Sequence, residues 1–180
     1  MTTTGPLLRA PLADAWYKLI QSIFRLILMG QGGLRVSGLE HVPKTEGALL
    51  VSNHASFLDV LAIGVAVKRP LNYVARSSLF FPPLGAMIRS VGAFPIEREG
   101  VGKQGLIETI KRVQAGRIVT LFPEGTRSTD GRLLPFKKGG FNIARQLDLP
   151  ILPVSITGSN RILPKACLFP RPGTVRVRFH

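Results

Sequence analysis

The sequence is poor in several kinds of residue, and each shortage excludes a class of protein. Its one cysteine, Cys167, cannot form an internal disulfide, so we expect a reducing compartment. The three histidines, His41, His54 and His180, have no cysteine cluster with zinc spacing around them, so we expect no metal site. No apolar run approaches the ~18 to 20 residues that span a bilayer, and the N-terminus lacks the pattern of a signal peptide. The sequence therefore indicates a cytoplasmic protein without a transmembrane span.

Acidic and aromatic residues are also scarce. The chain has 24 Lys and Arg but only 10 Asp and Glu, and the resulting net charge of +14 indicates a polyanionic partner: nucleic acid, an anionic bilayer or a phosphorylated substrate. Aromatic residues make up 7% and are not interleaved with the arginines as base-stacking platforms would be, so we expect no nucleic-acid partner. The 14 prolines and 19 glycines are spread along the 180 residues, which predicts a single globular fold.

The first patterned segment predicts an amphipathic helix from Asp14 to Met29, with Asp14 at its N-terminal cap. One interpretation is that its apolar face covers the protein core. Additional apolar residues widen that face beyond one core contact, however, so we expect the helix to bind a membrane interface. The predicted face comprises Trp16, Leu19, Ile20, Ile23, Phe24 and Ile27, widened by Leu26, Leu28 and Met29, with Lys18, Gln21 and Arg25 outside it.

Short strands and helices alternate along the rest of the chain. This alternation predicts an α/β fold with a mostly parallel central sheet flanked by helices. We divide the chain into a membrane-associating helix at 1–32 and one α/β domain at 33–180, which we expect to be shortened at its C-terminus because the last strand has no polar cap after it. Strands are predicted at 34–37, 48–52, 72–75, 92–96, 117–121, 151–157 and 174–179, and helices at 56–67, 80–90, 102–115 and 141–147.

A histidine and an aspartate follow the second predicted strand, where active groups of open α/β sheets usually lie. On a continuous helix, His54 and Asp59 would point about 140° apart, so they can pair only if the chain turns between them. Ser56 can supply that turn as the N-cap of the next helix, which would direct the carboxylate of Asp59 back towards the imidazole. The alternative is that Ser56 and Asp59 form only a capping box and that His54 is an ordinary loop residue.

A second group of functional side chains follows the fifth predicted strand, in the sequence FPEGTRS at 122–128. Gly125 permits a tight turn with exposed N–H groups, and Arg127 offers a two-pronged guanidinium for phosphate or carboxylate. The alternative is a surface turn in which Glu124 and Arg127 form an ion pair. Two more basic residues, Arg98 and Lys103, follow the fourth predicted strand, although a single basic residue is most often a solvated surface charge.

In combination and in this order, five segments resemble the glycerolipid acyltransferase family, typified by lysophosphatidate acyltransferases. The resemblance covers about Val36 to Gly158. It implies an α/β domain that works without a metal or other cofactor and takes its acyl group from acyl-CoA or acyl-carrier protein. The segments are NHASFLD at 53–59, GAFPIER at 92–98, FPEGTRS at 122–128, FKKG at 136–139 and ILPVSITG at 151–158.

The resemblance also implies a role for each candidate residue. His54 is expected to take the proton from the acceptor hydroxyl, and Asp59 is expected to orient it. A positioned general base of this kind contributes ~10² to 10⁴ in rate. The thioester donor is already activated and the chain has no Gly-x-Ser-x-Gly nucleophile, so we expect direct attack without an acyl-enzyme. The expected substrate-binding residues are Arg98, Lys103, Glu124, Gly125, Thr126 and Arg127.

The expected reaction is acylation of lysophosphatidic acid to phosphatidic acid in phospholipid biosynthesis. We expect a peripheral or monotopic protein at the cytoplasmic face of an anionic membrane. Two alternatives stay open. The acceptor could be another lysophospholipid or a small alcohol, because the same dyad serves any hydroxyl. From another class, the chain could be a non-catalytic basic domain that binds membrane or nucleic acid.

Overall fold

The computed structural model describes residues 11–30, 32–96, 103–165, 167 and 169–180. Within these ranges, the strands form one sheet and helices lie on both of its faces. The strands are β1 (Leu34–Ser37), β2 (Ala48–Ser52), β3 (Leu71–Arg76), β4 (Ala93–Ile96), β5 (Ile118–Leu121), β6 (Ile151–Thr157) and β7 (Val175–Phe179). The helices are α1 (Pro11–Gly30), α2 (Leu58–Ala66), α3 (Leu84–Ser90), α4 (Lys103–Gln114), α5 (Gly139–Gln146) and α6 (Ser159–Ile162).

The strand order in the sheet is β1-β7-β6-β2-β5-β3-β4. Only β6 and β7 pair antiparallel among the described strands, and every other neighbouring pair is parallel. The mostly parallel α/β sheet predicted from the sequence is therefore confirmed. Strands β2 and β5 are neighbours in the middle of the sheet, so the segments that follow their carboxyl ends emerge side by side.

Two of the observed helices differ from the sequence prediction. The proline-interrupted helix predicted over 80–90 is helical only from Leu84, because Pro82 and Pro83 precede it and proline favours the start of a helix over its interior. Helix α6 was not predicted, since its four residues are too few to display a helical repeat.

The core consists of two apolar clusters, one on each face of the sheet. Strand β2 contributes to both because its side chains alternate between the faces. Ala48 and Leu50 pack with α2, whereas Leu49 and Val51 pack with residues of β5, α4 and α5. Burial on both faces explains why β2 is a continuous apolar run, and it fixes this strand in the centre of the molecule.

Helix α1 packs against α2 partly through residues outside the predicted apolar face. Tyr17 and Leu28 are buried, Phe24 packs against the core, and Gln21 donates hydrogen bonds to the carbonyls of Gly64 and Val67 at 2.6 and 2.8 Å. The inward face thus includes Gln21, and most of the predicted apolar face lies outside it. The exposed apolar side chains of α1 are Leu12, Trp16, Leu19, Ile23, Leu26, Ile27 and Met29.

The start of α1 also corrects a prediction. Asp14 lies inside the first turn of the helix rather than at its cap, and its carboxylate pairs with Lys18 at 2.7 Å.

In the described part of the chain, no helix combines the length and apolar character needed to cross a bilayer.

Arg69 joins the segment before β2 to the turn before β5, at the amino ends of these strands. Its guanidinium donates to the carbonyls of Pro43, Thr45, Glu46 and Gly116 at 2.5 to 3.1 Å. Burial lowers the pKa of Arg69 below its ordinary value, and the charge of Glu46 acts in the opposite direction. This residue therefore fixes the end of the sheet that is remote from the candidate site.

Candidate active site

The two candidate segments meet at the carboxyl ends of β2 and β5, as expected from the parallel sheet. The main-chain N–H of Ser128 donates to the carbonyl of His54 at 2.9 Å. The phenyl ring of Phe122 stacks on the imidazole of His54, with 4.1 Å between the ring centroids and 23° between the planes. The histidine is thus held between its own loop and the segment after β5.

His54 and Asp59 form the pair that their spacing allows. The imidazole Nδ1 lies 3.0 Å from Asp59 Oδ2, which also accepts the main-chain N–H groups of Ala55 and Ser56 at 2.7 Å each. Because a carboxylate oxygen holding two amide donors acts as an acceptor, the imidazole must donate from Nδ1. Its Nε2 is then left with a lone pair that can accept a proton.

The difference in burial between Asp59 and His54 supports these separate roles. The side chain of Asp59 is fully buried, whereas that of His54 is 15% exposed. The carboxylate is therefore shielded from substrate and water, and the imidazole edge is the part of the pair that a substrate hydroxyl can reach. Asp59 holds a charge beside the position where an imidazolium would form during proton transfer.

The capping interaction is present together with the His–Asp pair. Helix α2 begins at Leu58, and its N-cap is Phe57 rather than the predicted Ser56, one residue earlier. The hydroxyl of Ser56 nonetheless accepts the N–H of Leu58 at 3.1 Å. In return, the carboxylate of Asp59 accepts the N–H of Ser56. The two interpretations that the sequence left open are therefore not exclusive, since one carboxylate oxygen serves both the turn and the imidazole.

Glu124 is directed into the protein rather than towards a neighbouring cation. It is 5% exposed, and its two oxygens accept the main-chain N–H groups of His54 at 2.6 Å and Leu134 at 2.9 Å. The predicted alternative of an ion pair with Arg127 is absent from the described residues. Glu124 thus ties the loop of the histidine to the segment after β5.

Gly125 and Thr126 form the outer part of the same turn. Gly125 has a φ of 66°, a left-handed conformation that glycine adopts without steric cost, and its N–H donates to the carbonyl of Phe122 at 3.0 Å. Arg76, at the end of β3, donates to the carbonyl of Gly125 at 2.6 Å. Thr126 is exposed. This turn is therefore supported from the neighbouring strand and open to solvent at its tip.

Arg127 lies beside the His–Asp pair. Its Cζ is 3.6 Å from the centroid of the Phe57 ring, and Phe57 lies between the two residues of the pair in sequence. Burial lowers the pKa of Arg127 below its ordinary value, while the charge of Asp59 raises it. A cationic group is thus positioned near the imidazole, as binding of an anionic substrate requires.

The other two predicted basic residues are Arg98 and Lys103. Arg98 lies outside the described residues. Lys103 is the first residue of α4, and only its main chain belongs to the described part of the structure. Within the described ranges, no group of three or more potential metal ligands comes together.

Four residues of this site were not predicted from the sequence. They are Phe57, Arg76, Phe122 and Lys165, whose Nζ donates to the carbonyl of Arg127 at 3.0 Å. Each contacts a predicted residue that is distant in sequence, or lies on a loop whose path the sequence does not define. The aromatic residues within the two motifs, Phe57 and Phe122, were the available signal.

Comparison with known proteins identifies a family and named relatives of this chain. The family model described as Acyltransferase matches residues 33–157. The chain is 36% identical to a 1-acyl-sn-glycerol-3-phosphate acyltransferase of Brassica napus, over 72% of this chain and 38% of that protein. It is 31% identical to the enzyme of the same name from Bacillus subtilis, over 79% of this chain and 71% of that protein.

A solved structure extends the similarity to the fold. The crystal structure of the 1-acyl-sn-glycerophosphate acyltransferase from Thermotoga maritima matches with a TM-score of 0.79 and 30% identity, over 97% of this chain and 72% of that chain. The present chain thus spans under half the length of the Brassica protein and about seven tenths of the two bacterial ones.

Proposed function

Because the chain belongs to the acyltransferase family, we propose that it transfers a fatty acyl group from a thioester carrier to the free hydroxyl of lysophosphatidic acid, giving phosphatidic acid. The carrier is acyl-CoA or acyl-carrier protein. The observation that carries the proposal is the hydrogen bond between His54 Nδ1 and the buried Asp59 carboxylate, beside a cationic Arg127. Named relatives that act on 1-acyl-sn-glycerol-3-phosphate support this choice of acceptor.

The proposed reaction is direct attack of the acceptor hydroxyl on the thioester. Nε2 of His54 takes the hydroxyl proton while the oxygen attacks the carbonyl carbon, and collapse of the tetrahedral intermediate breaks the carbon–sulfur bond. The thiolate leaves and takes the proton from the imidazolium. Asp59 keeps the imidazole in the tautomer with a free Nε2 and stabilises its charged form. No covalent acyl-enzyme is needed because the thioester is already activated.

The acceptor's phosphate is proposed to bind to arginine. Arg127 lies beside the dyad and presents a planar fork that matches phosphate oxygens. Arg98 is proposed as a second phosphate ligand, with Lys103, Gly125 and Thr126 at the rim of the same site. Glu124 is proposed to shape the site through the main chain, because both of its oxygens are occupied by backbone N–H groups.

The exposed apolar face of α1 is proposed to rest on the membrane that supplies the lipid. Seven large apolar side chains on one helix are exposed in a strongly basic protein, which is typical of interfacial binding to an anionic bilayer. In this proposal, residues 1–32 associate with the cytoplasmic face of the membrane, and residues 33–180 form the acyltransferase domain. The lysolipid then reaches the dyad without leaving the interface.

Removal of the imidazole tests the proposal. His54→Ala is expected to lower kcat for transfer from a mass-tagged acyl-CoA to lysophosphatidic acid by ~10² to 10⁴. The matched control is His41→Ala, which removes an imidazole remote from this site and is expected to keep wild-type turnover. Full turnover by folded His54→Ala protein would reject the base assignment. A wild-type protein that binds anionic vesicles or DNA but transfers no acyl group, over a panel of donors, would favour the non-catalytic alternative.

The nature of the acceptor is tested through the arginines. For a phosphate-headed acceptor, Arg127→Ala and Arg98→Ala are each expected to raise KM, since a charge-assisted pair is lost. A neutral acceptor alcohol would be insensitive to both changes. Unchanged KM in both variants would therefore move the proposal to the alternative acceptor class.

A further inference from the structure

The guanidinium of Arg127 rests on an aromatic ring that the core does not require. Cζ of Arg127 lies 3.6 Å from the centroid of Phe57. An edge-on guanidinium at this distance would push a nitrogen into the ring, so the two groups must be stacked. The ring of Phe57 is 51% exposed, in contrast to the buried apolar residues on either side of it in α2 and the preceding turn. Its principal partner is thus the arginine.

Stacking leaves the binding edge of the arginine free. The N–H groups of a guanidinium lie in its own plane, so a ring against its face does not block them. Among the described residues, no side-chain N–H of Arg127 donates to a protein acceptor. The ring therefore fixes the plane of the fork while its donors stay available to an anion.

The main chain of Arg127 is held from a different part of the protein. Nζ of Lys165 donates to the carbonyl of Arg127 at 3.0 Å. The segment that carries this lysine is itself fixed, because Ser56 Oγ donates to the carbonyl of Leu163 at 2.7 Å. Lys165 lies beyond residues 33–157, the part of the chain that matches the family. The arginine is thus held at both its backbone and its guanidinium end.

We propose that Phe57 and Lys165 are positioning residues that hold Arg127 ready for the phosphate of the acceptor. This inference rests on the proposed acylation of lysophosphatidic acid. A long arginine side chain that is free in solution must lose rotamer freedom when it binds phosphate. An arginine already stacked on a ring, with its carbonyl fixed, loses less on binding. The pair therefore acts on acceptor affinity rather than on the chemistry at the imidazole.

The first measurement compares KM and kcat in three phenylalanine variants. Phe57→Ala is expected to raise KM for lysophosphatidic acid roughly 2- to 30-fold, the range that corresponds to one cation–π contact, with kcat changed much less. Phe57→Tyr keeps the ring and is expected to restore KM. Phe169→Ala, which truncates another exposed phenylalanine, is the matched control and is expected to leave both constants unchanged.

A double-mutant cycle separates positioning from direct contact with lipid. In an Arg127→Ala background, Phe57→Ala and Lys165→Met are each expected to add nothing further to KM, since the residue that they position is gone. A full additional loss in that background would overturn the proposal, because the ring or the ammonium would then bind substrate by itself. Wild-type KM in Phe57→Ala would also overturn it.

The same experiments distinguish failure of this inference from failure of the proposed function. Wild-type protein that acylates lysophosphatidic acid, with a Phe57→Ala variant of unchanged KM, retains the function and removes only the positioning role. Wild-type protein with no activity on this acceptor removes both. Equal denaturant midpoints of the variants and the wild type establish that each change acts on the site rather than on folding.

Discussion

Removal of the Asp59 carboxylate is expected to damage stability and catalysis together, because one of its oxygens serves both. Its Oδ2 accepts three donors, and two of these are the main-chain N–H groups of Ala55 and Ser56. Both residues are buried, so water cannot replace the lost acceptor. Leaving a buried donor unsatisfied costs about 1–3 kcal/mol, so Asp59→Ala is expected to lower the free energy of unfolding by roughly 2–6 kcal/mol.

The isosteric Asp59→Asn variant isolates the contribution of charge. An amide oxygen in place of Oδ2 can still accept the two main-chain donors, but the amide N–H₂ then replaces Oδ1, which is buried and has no hydrogen-bond partner among the described residues. Asp59→Asn is therefore expected to lose less stability than Asp59→Ala, although more than none. A neutral partner, however, stabilises the imidazolium less than a carboxylate does. Charge-assisted hydrogen bonds are about twice as strong as neutral ones, and a difference of about 1–2 kcal/mol corresponds to a fall in kcat of roughly 5- to 30-fold.

Urea denaturation and steady-state acyl transfer, measured on the same preparations, check both parts. His54→Ala serves as the control, because it removes the imidazole and leaves the carboxylate bonded to the main-chain N–H groups of Ala55 and Ser56. It is expected to lose activity with a much smaller change in stability than Asp59→Ala. The reasoning would be refuted by an Asp59→Ala protein as stable as the wild type, or by an Asp59→Asn protein with wild-type kcat.

Three further perturbations address other parts of the molecule. Glu124→Gln places an amide N–H₂ against one of the two main-chain N–H groups that Glu124 now accepts. We therefore expect kcat to fall while KM for the acceptor stays nearly constant. A raised KM with unchanged kcat would instead indicate that Glu124 binds substrate directly. Arg69→Met removes four hydrogen bonds to carbonyls and is expected to lower the free energy of unfolding, measured by urea denaturation, by about 2–4 kcal/mol. Protein that remains folded is expected to keep its activity. An unchanged urea midpoint would contradict this role. Replacement of both Leu19 and Ile23 by Glu is expected to lower the affinity for anionic vesicles, measured by sedimentation, at least roughly tenfold. The control Ser22→Glu adds one exposed charge on the same helix and tests the effect of charge alone. Equal vesicle binding by the double variant and the wild type would exclude this face.

Membrane binding and catalysis can be separated in that last experiment. The exposed apolar residues of α1 lie on the opposite side of the helix from its contact with α2, so their replacement leaves the docking of the helix intact. Activity towards a short-chain, water-soluble acceptor is therefore expected to persist when vesicle binding is lost.

The sequence by itself determined the secondary-structure elements and the contacts between functional residues that are close in sequence. The periodicity of apolar residues predicted the strands to within one or two residues, because the side chains of a buried strand must be apolar wherever they meet the core. The turn at Ser56 and the spacing of His54 and Asp59 allowed their contact to be predicted beside the alternative of a capping box alone, since six consecutive residues have few ways to satisfy a buried carboxylate.

Only the tertiary structure decided which distant groups meet. Glu124 accepts the main-chain N–H of His54, 70 positions away, because β2 and β5 are neighbours in the sheet. The apolar periodicity of each strand does not predict the order of the strands. In the same way, the docking of α1 through Gln21 depends on the free carbonyls at the end of α2. The pattern of apolar residues predicts which side chains are buried, whereas the partner of a polar group depends on the path of the whole chain.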